Sequence, residues 1–136
     1  MNVVVDTNVL VSGLLCPFSP SGDIVRMVSS GDIRLCLDGR ILSEYEDILG
    51  RPKFRFDGEK VRILQDFICQ NGQVCTAQPL PRPLPDHDDE AFMEVASAAS
   101  AAYLVTGNIS HFPVECRGKI RVVTPRQFVE LWKSGS

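Results

Sequence analysis

The chain opens with Met1-Asn2-Val3-Val4-Val5-Asp6-Thr7-Asn8, in which three consecutive valines are followed directly by three polar residues. An uninterrupted apolar run of this length predicts a short strand that is buried on both faces, as in the middle of a parallel sheet. Ligands of open α/β sheets bind at the carboxyl ends of the strands, so Asp6 is well placed for chemistry. Asp6 could equally cap a helix that begins at Asn8. Its position alone does not decide between these two roles.

The composition is that of a single globular domain, which we expect to span residues 1–136. A hydrophobic content of 44% and a charged content of 23% are ordinary for such a domain. The sequence contains no apolar run of about 20 residues and no leader before the first strand, so we expect a cytoplasmic protein without a membrane partner. The net charge of −3 gives no general attraction to nucleic acid. Any such binding must therefore come from a local basic patch.

Strand and helix signals alternate along the chain. After the first strand, strands are predicted over 33–37, 73–76, 102–106 and 120–123. Helices are predicted over 8–15, 21–30, 38–49 and 57–70, and further helices are predicted to begin at 86 and at 124. The prolines that alternate over 79–85 predict a stiff, extended crossover loop. The alternation favours an α/β fold with a mostly parallel sheet.

Acidic residues recur next to the predicted strand ends. Glu44 borders the apolar stripe of the helix over 38–49, the run Asp86-His87-Asp88-Asp89-Glu90 opens another helix, and the turn Thr106-Gly107-Asn108 ends a strand. A parallel sheet can bring these motifs and Asp6 to one edge. Two carboxylates 4 Å apart repel each other by about 4 kcal/mol at an effective dielectric near 20. A divalent cation would offset this repulsion, and hard oxygen ligands suit Mg²⁺ or Mn²⁺.

Other metal chemistry is disfavoured by the histidines and cysteines. His87 and His111 are isolated and form no pair at ligand spacing, so we expect them to be structural or loop residues. The five cysteines are odd in number and contain no C-x-x-C pair, which favours small apolar fillers over a zinc site or a disulfide framework.

The segment 50–56 interleaves the cations Arg51, Lys53 and Arg55 with the aromatic residues Phe54 and Phe56. This pattern is found in nucleic-acid contacts, but it is slightly more often an ordinary connector between helices.

Taken together, four motifs resemble the PIN-domain family and, more narrowly, the VapC-related toxin components of bacterial and archaeal toxin–antitoxin systems. The resemblance runs from residue 2 to about residue 125. The motifs are Val3-Val4-Val5-Asp6-Thr7-Asn8, Ile41-Leu42-Ser43-Glu44-Tyr45 with its tail Arg51-Pro52-Lys53-Phe54, Asp86-His87-Asp88-Asp89, and Thr106-Gly107-Asn108.

The resemblance implies a three-layer α/β/α fold and a metal-dependent endoribonuclease that cleaves single-stranded RNA with Mg²⁺ or Mn²⁺. Its first two acids map onto Asp6 and Glu44, and the third onto Asp89, with Asp88 and Asp86 as alternatives. A fourth acid often follows the Thr-Gly pair, and this chain has Asn108 there as a possible metal ligand. Asparagine also tolerates the left-handed backbone that such a turn can need.

Further roles follow from the same resemblance. Thr7, Asn8, Asp88 and Thr106 would orient ligands or phosphate oxygens, while Arg51, Lys53 and Arg55 are candidates for RNA binding. The implied partners are an RNA substrate, a cognate antitoxin and a second copy of the chain in a homodimer.

Two other classes of protein remain open at this point. A Mg²⁺-dependent phosphotransfer protein also places an aspartate after its first strand, but the dehalogenase type needs a second acid where this chain has Asn8. A catalytically weak PIN fold that binds RNA or protein without cleavage is favoured mainly by Asn108.

Overall fold

The central element is a five-stranded sheet in which all strands run parallel. The computed structural model describes residues 1–135. The strands are β1 (Asn2–Val5), β2 (Arg34–Leu37), β3 (Gln73–Val74), β4 (Tyr103–Val105) and β5 (Val122–Val123), arranged in the order β3-β2-β1-β4-β5. Six helices flank the sheet in a three-layer α/β/α fold, which confirms the predicted fold class.

The helices follow the predicted pattern closely. They are α1 (Thr7–Leu15), α2 (Pro20–Ser30), α3 (Gly39–Leu49), α4 (Gly58–Asn71), α5 (Glu90–Ala99) and α6 (Pro125–Lys133). Asp38 caps α3 as predicted, because its side chain accepts hydrogen bonds from the amides of Arg40 and Ile41 at 3.0 and 3.1 Å. Thr124 and Gln127 form a reciprocal capping box at the start of α6.

One predicted helix start is wrong by several residues. The acidic run does not open α5 directly; it forms a 3₁₀ turn over His87–Asp89, and α5 begins at Glu90. Asp86 causes this arrangement, because its side chain accepts a hydrogen bond from the amide of Asp88 at 2.9 Å. Asp89 therefore lies at the junction between the turn and the helix.

The strand order places a topological switch point beside β1. The chain proceeds from β1 outward to β2 and β3, then returns to the other side of β1 for β4 and β5. Ligand sites of open α/β sheets lie in the crevice that such a reversal creates at the carboxyl ends of the strands. Val5 of β1 pairs with Val105 of β4, so Asp6 and Thr106 emerge side by side at this crevice.

The valines of β1 form the centre of the core, where Val3, Val4 and Val5 are fully buried. α5 packs against β1, β2 and β4, and α2 packs against α1 and α6. Among residues 1–135, no helix is both long and apolar enough to cross a membrane.

Candidate active site

Asp6 lies at the switch point with its side chain almost completely buried. It occupies the position before α1, and its side chain makes no capping hydrogen bond of normal geometry, although the amides of Thr7 and Asn8 lie close enough to lower its pKa. Its Oδ2 instead accepts a hydrogen bond at 2.8 Å from the hydroxyl of Thr106, which follows β4. Its amide donates to the carbonyl of Val105 at 2.9 Å. The carboxylate is therefore held in the crevice between β1 and β4.

Glu44 reaches the same edge from α3. The Thr7 hydroxyl donates a hydrogen bond to Glu44 Oε2, which links the second acid to the residue after Asp6. The next residue, Tyr45, is fully buried and donates from its hydroxyl to the carbonyl of Val5 at 2.5 Å. These two bonds fasten the middle of α3 to the end of β1. Glu44 is thereby oriented toward the crevice.

Asp89 approaches from the start of α5 and carries the one buried side-chain oxygen that lacks a hydrogen-bond partner in residues 1–135. This oxygen, Oδ2, lies 3.2 Å from Nδ1 of His111, which is ion-pair distance without the geometry of a hydrogen bond. Asp88 and Asp86 are exposed, whereas Asp89 is half-buried. This difference favours Asp89 among the three candidates for the third acid.

The two histidines differ from each other. His111 was expected to be a structural or loop residue, and the structure instead places it beside Asp89, on the 3₁₀ turn Ile109–His111. His87 is almost fully exposed and contacts the carboxylate of Glu90, as a loop residue would.

The three carboxyl groups all have raised pKa values. The pKa of Asp89 is raised to about 6, mainly because burial disfavours the charged form and also because Asp6 and Asp86 are negatively charged; His111 opposes this shift. Burial likewise raises the pKa of Asp6, against the lowering effect of the Thr106 hydrogen bond. The pKa of Glu44 is raised by burial and by the charges of Asp6 and Asp88, although the Thr7 hydrogen bond lowers it. Burial is the largest cause for all three groups, and repulsion among neighbouring acids adds to it for Asp89 and Glu44.

A cleft of about 310 Å³ adjoins the acids through Glu44 and Asp88. Arg40 at the start of α3 also lines it, and this guanidinium contacts Asp38 and Glu94 at 2.7 Å each. Arg40 therefore ties α3 to α5. The remaining lining residues are Ile41, His87, Glu90, Ala91, Phe92 and Glu94.

Asn108 contacts none of the three acids with its side chain. This side chain is exposed and makes no hydrogen bond within the described chain, whereas its amide donates to the Thr106 hydroxyl at 3.0 Å. Its φ of −124° is negative, so the suggestion that asparagine serves a left-handed turn is wrong. Asn8 contributes to the same turn by accepting a weak hydrogen bond at 3.4 Å from the amide of Gly107.

The acids have the chemistry of a hard-cation site. Within residues 1–135, no three His, Cys, Asp or Glu side chains stand close enough together to enclose a metal ion as they are arranged. The donors available are carboxylate oxygens, their pKa values are raised, and Asp89 Oδ2 is buried without a hydrogen bond, beside Nδ1 of His111 at 3.2 Å. A divalent ion bound by oxygen would satisfy that atom and offset the repulsion, so the residues present fit a divalent cation that prefers oxygen ligands.

The predicted RNA-binding residues lie apart from the acids. Arg51 forms an exposed ion pair with Asp47 at 3.2 Å, and Lys53 lies 5.1 Å above the ring of Phe54. Arg55 follows the 3₁₀ turn Pro52–Phe54 and lines a second cleft. None of the three contacts Asp6, Glu44 or Asp89.

A comparison with protein families decides the classification. The family model described as PIN domain matches residues 2–110, which is most of the chain. The chain belongs to the PIN-domain family. PIN domains are generally nucleases and typically depend on divalent metal ions. A comparison with curated proteins gave no match.

Sequence reasoning missed two residues at the edge of this PIN domain. His111 comes three residues after Asn108, so its position just beyond the end of β4 was a usable signal. Arg40 comes three residues after the end of β2, in the first turn of α3. That position also predicts a place near the carboxyl ends of the strands. Residue type drew attention to the acids, and position alone would have drawn attention to these two residues.

Proposed function

We propose that this PIN domain is a metal-dependent endoribonuclease that cleaves single-stranded RNA. The observation that supports it most strongly is the group of three acids with raised pKa values around the switch point, of which Asp89 has a buried oxygen that makes no hydrogen bond and lies beside His111. Mg²⁺ or Mn²⁺ held by Asp6, Glu44 and Asp89 would supply a Lewis acid for the phosphodiester and activate water for its hydrolysis.

The side chains around the acids have distinct tasks in this proposal. The Thr106 and Thr7 hydroxyls hold the carboxylates of Asp6 and Glu44 in fixed orientations, as donors to metal-binding carboxylates do. Asn8 keeps the Gly107 turn beside α1. Asp88 lines the adjoining cleft and adds to the negative charge near Glu44.

The test is cleavage of a fluorescent single-stranded RNA by purified protein in Mg²⁺, in Mn²⁺ and in EDTA. We expect cleavage with either ion, none in EDTA, and none with Asp6→Asn. Single-stranded DNA and duplex RNA of the same sequence serve as comparison substrates. Equal cleavage by wild type and Asp6→Asn would indicate a contaminating nuclease, and no cleavage of any RNA with either ion would overturn the proposal.

A PIN fold that binds without cleavage is the second candidate. Asn108 supports it, because this neutral and exposed residue stands where a fourth acid often follows the Thr-Gly pair. Retained RNA binding without any metal-dependent cleavage would favour this candidate.

We further propose that the nuclease is the toxin of a toxin–antitoxin pair and acts as a homodimer. The support is the resemblance of the four motifs to VapC-related toxins. Induced expression should then arrest growth of the host, and co-expression of the antitoxin encoded by a neighbouring reading frame should restore it. Asp6→Asn is the control that should not arrest growth. Light scattering of the purified protein measures the oligomeric state.

A further inference from the structure

A second cleft, of about 260 Å³, opens between the end of α3, the turn Pro52–Phe54 and the first half of α4. Three guanidinium groups line it, those of Arg51, Arg55 and Arg62. Glu46 is the one acidic residue of its lining within the described chain, and Phe56 and Gln65 contribute a ring and an amide. We refer to it as the arginine cleft.

Most of its positive charge is not neutralised. Arg51 pairs with Asp47, and both side chains of this pair are well exposed, so water screens the interaction strongly. Arg55, Arg62 and the neighbouring Lys53 have no acidic partner anywhere in residues 1–135. The lining of the cleft has three arginines against one acid, whereas the whole chain carries a net charge of −3. This lining is the candidate for the local basic patch that RNA binding would need.

Aromatic rings lie beside these cations. Phe54 and Phe56 stack with their centroids 5.4 Å apart and their planes inclined by 14°. Lys53 covers Phe54, whereas Phe56 faces the arginine cleft. Single strands are held without regard to sequence where cations contact phosphates and rings stack against bases. The arginine cleft offers both kinds of contact.

The backbone at Arg55 is also unusual. Its φ of 54° and ψ of 34° are left-handed, a conformation that glycine or asparagine adopts more readily than arginine. The conformation turns the chain between α3 and α4. Arg55 therefore lines the cleft from a position whose backbone conformation disfavours arginine.

The arginine cleft is separate from the acidic site. On α3, Arg40, Ile41 and Glu44 line the acidic cleft, whereas Glu46 and Leu49 line the arginine cleft. At about 100° per residue, Glu44 and Glu46 point to nearly opposite faces of the helix. The end of α3, Leu49, lies about 7.5 Å along the helix axis from Glu44, at about 1.5 Å per residue. A strand that reached both clefts would also have to pass around the helix.

We propose that the arginine cleft is a second binding subsite for single-stranded RNA, in which Arg55 and Arg62 contact phosphates and Phe56 stacks against a base. The identity of the ligand rests on the proposed ribonuclease function. An acidic peptide is the competing occupant. Phe56 is half-buried, and its ring is the aromatic part of the cleft lining; this favours RNA, because a base can stack on an aromatic ring and a carboxylate cannot.

The experiment measures binding without cleavage. Fluorescence anisotropy of a labelled single-stranded RNA 12-mer is recorded in EDTA over a range of KCl concentrations. Arg55→Asn removes the charge but keeps a residue that tolerates the left-handed turn, and Arg62→Gln removes a charge on α4. Phe56→Leu removes the ring and keeps an apolar side chain. Lys133→Gln is the matched control, because Lys133 is exposed near the end of α6 and has no ion pair within the described chain.

Each arginine variant should weaken binding about 3- to 10-fold and lower the slope of log Kd against log[KCl] by about 0.7, the loss of one phosphate contact. Phe56→Leu should weaken binding with an unchanged slope, and Lys133→Gln should bind like wild type. Circular dichroism melts establish that each variant is folded. Arg62→Gln keeps the test decisive if Arg55→Asn does not fold.

Wild-type affinity in both Arg62→Gln and Phe56→Leu would overturn the subsite, as would an equal loss in Lys133→Gln. Displacement of the RNA by a short polyglutamate peptide at lower concentration than by unlabelled RNA would also overturn it, in favour of a protein partner. These outcomes are distinct from failure of the proposed function. A protein that cleaves RNA but binds it independently of these residues lacks the subsite, whereas one that binds through them without metal-dependent cleavage lacks the nuclease activity.

Discussion

Asp6 and Glu44 each accept a hydrogen bond from a threonine hydroxyl, and neither forms an ion pair within residues 1–135. These contacts determine what neutral variants should do. Asp6→Asn and Glu44→Gln preserve an oxygen that can accept from Thr106 or Thr7. They also remove one negative charge from a group of acids with raised pKa values. We expect activity to fall by at least about 100-fold. The free energy of unfolding in EDTA should be unchanged or higher by about 1 kcal/mol.

Melting curves in EDTA check the second half of this prediction. Metal-free variants that melt clearly below the metal-free wild type would show that the two acids serve the fold instead of the chemistry.

Asp89 gives the metal-free protein a specific dependence on pH. Its pKa is about 6 in the folded state against 3.8 as the ordinary value, so between these values the folded state binds more protons than the unfolded state. The contribution of Asp89 to the free energy of unfolding is therefore largest below about pH 4. This contribution is lost as the pH rises from about 4 to about 6. The shift corresponds to at most about 3 kcal/mol, which solvent screening reduces to about 1–2 kcal/mol.

The measurement compares the unfolding free energy of wild type and Asp89→Asn in EDTA from pH 4 to pH 8. Because other carboxylates titrate in both proteins, the difference between the two curves isolates Asp89. The variant should gain relative stability as pH rises. A difference that is flat across this range would mean that Asp89 ionises normally.

Asn108 offers a further test of the site's boundary. Its side chain is exposed on a turn with ordinary backbone geometry, so Asn108→Asp changes charge without changing shape. We expect the added carboxylate to lower the Mn²⁺ concentration needed for half-maximal cleavage about 2- to 10-fold, since it adds a charged oxygen near the cation. Asn108→Ala should reduce activity far less than Asp6→Asn does. Coincident Mn²⁺ titrations for wild type and Asn108→Asp would remove position 108 from the metal site.

At the scale of elements, hydrophobic periodicity and capping residues predicted nearly every strand and helix. The cap of α3 at Asp38 and the start of α6 at Thr124-Pro125 depend on interactions within a few residues of the chain. Such local interactions can be predicted from the sequence alone. The start of α5 was missed because Asp86 caps a 3₁₀ turn first, and an acidic run favours either conformation. Most strands after β1 were predicted one or two residues too long, since apolar residues continue past the point where backbone pairing with the neighbouring strand stops.

The candidate site could be predicted only in outline. The acids were found because strand ends and a border position on α3 mark the carboxyl edge. The contacts of Thr7 with Glu44 and of His111 with Asp89 join different elements, so they depend on how those elements pack. No local pattern specifies such contacts.

Tyr45 is the residue through which α3 is held in position. Tyr45→Phe removes its hydrogen bond to the carbonyl of Val5, which should cost about 1–2 kcal/mol of unfolding free energy. Because this bond fastens α3 beside Asp6, the variant should also need more Mn²⁺ for half-maximal activity. Tyr103→Phe is the matched control, since Tyr103 is also buried but its hydroxyl makes no hydrogen bond within residues 1–135. Equal effects of both changes on stability and on Mn²⁺ requirement would show that the Tyr45 hydroxyl has no special role.

At the scale of the whole molecule, the site is assembled from distant parts of the chain. Asp6 and Thr106 are 100 residues apart in sequence, and Thr7 and Glu44 are 37 apart. The strand order brings them together, because β4 returns to pair with β1 after β2 and β3 have been placed on its other side. The sequence alone could predict a parallel sheet but not this order. A site of this kind exists only while the entire sheet is folded.

Metal binding should therefore stabilise the whole fold and not merely one segment of it. An ion that binds only the folded state adds about 2.7 kcal/mol at a concentration of 100 Kd, which for a chain of this size corresponds to a rise in Tm of roughly 10 °C. We expect Mg²⁺ and Mn²⁺ to raise the Tm of wild type in a concentration-dependent way, whereas NaCl at equal ionic strength should not. Asp6→Asn should lose most of the shift, because it removes the most deeply buried of the three acids. Arg62→Gln should keep it, because Arg62 lines the arginine cleft and not the acidic one. If Asp6→Asn keeps the full rise in Tm, the ion binds elsewhere on the molecule. Any cleavage that still requires the ion would then come from a site that does not include Asp6.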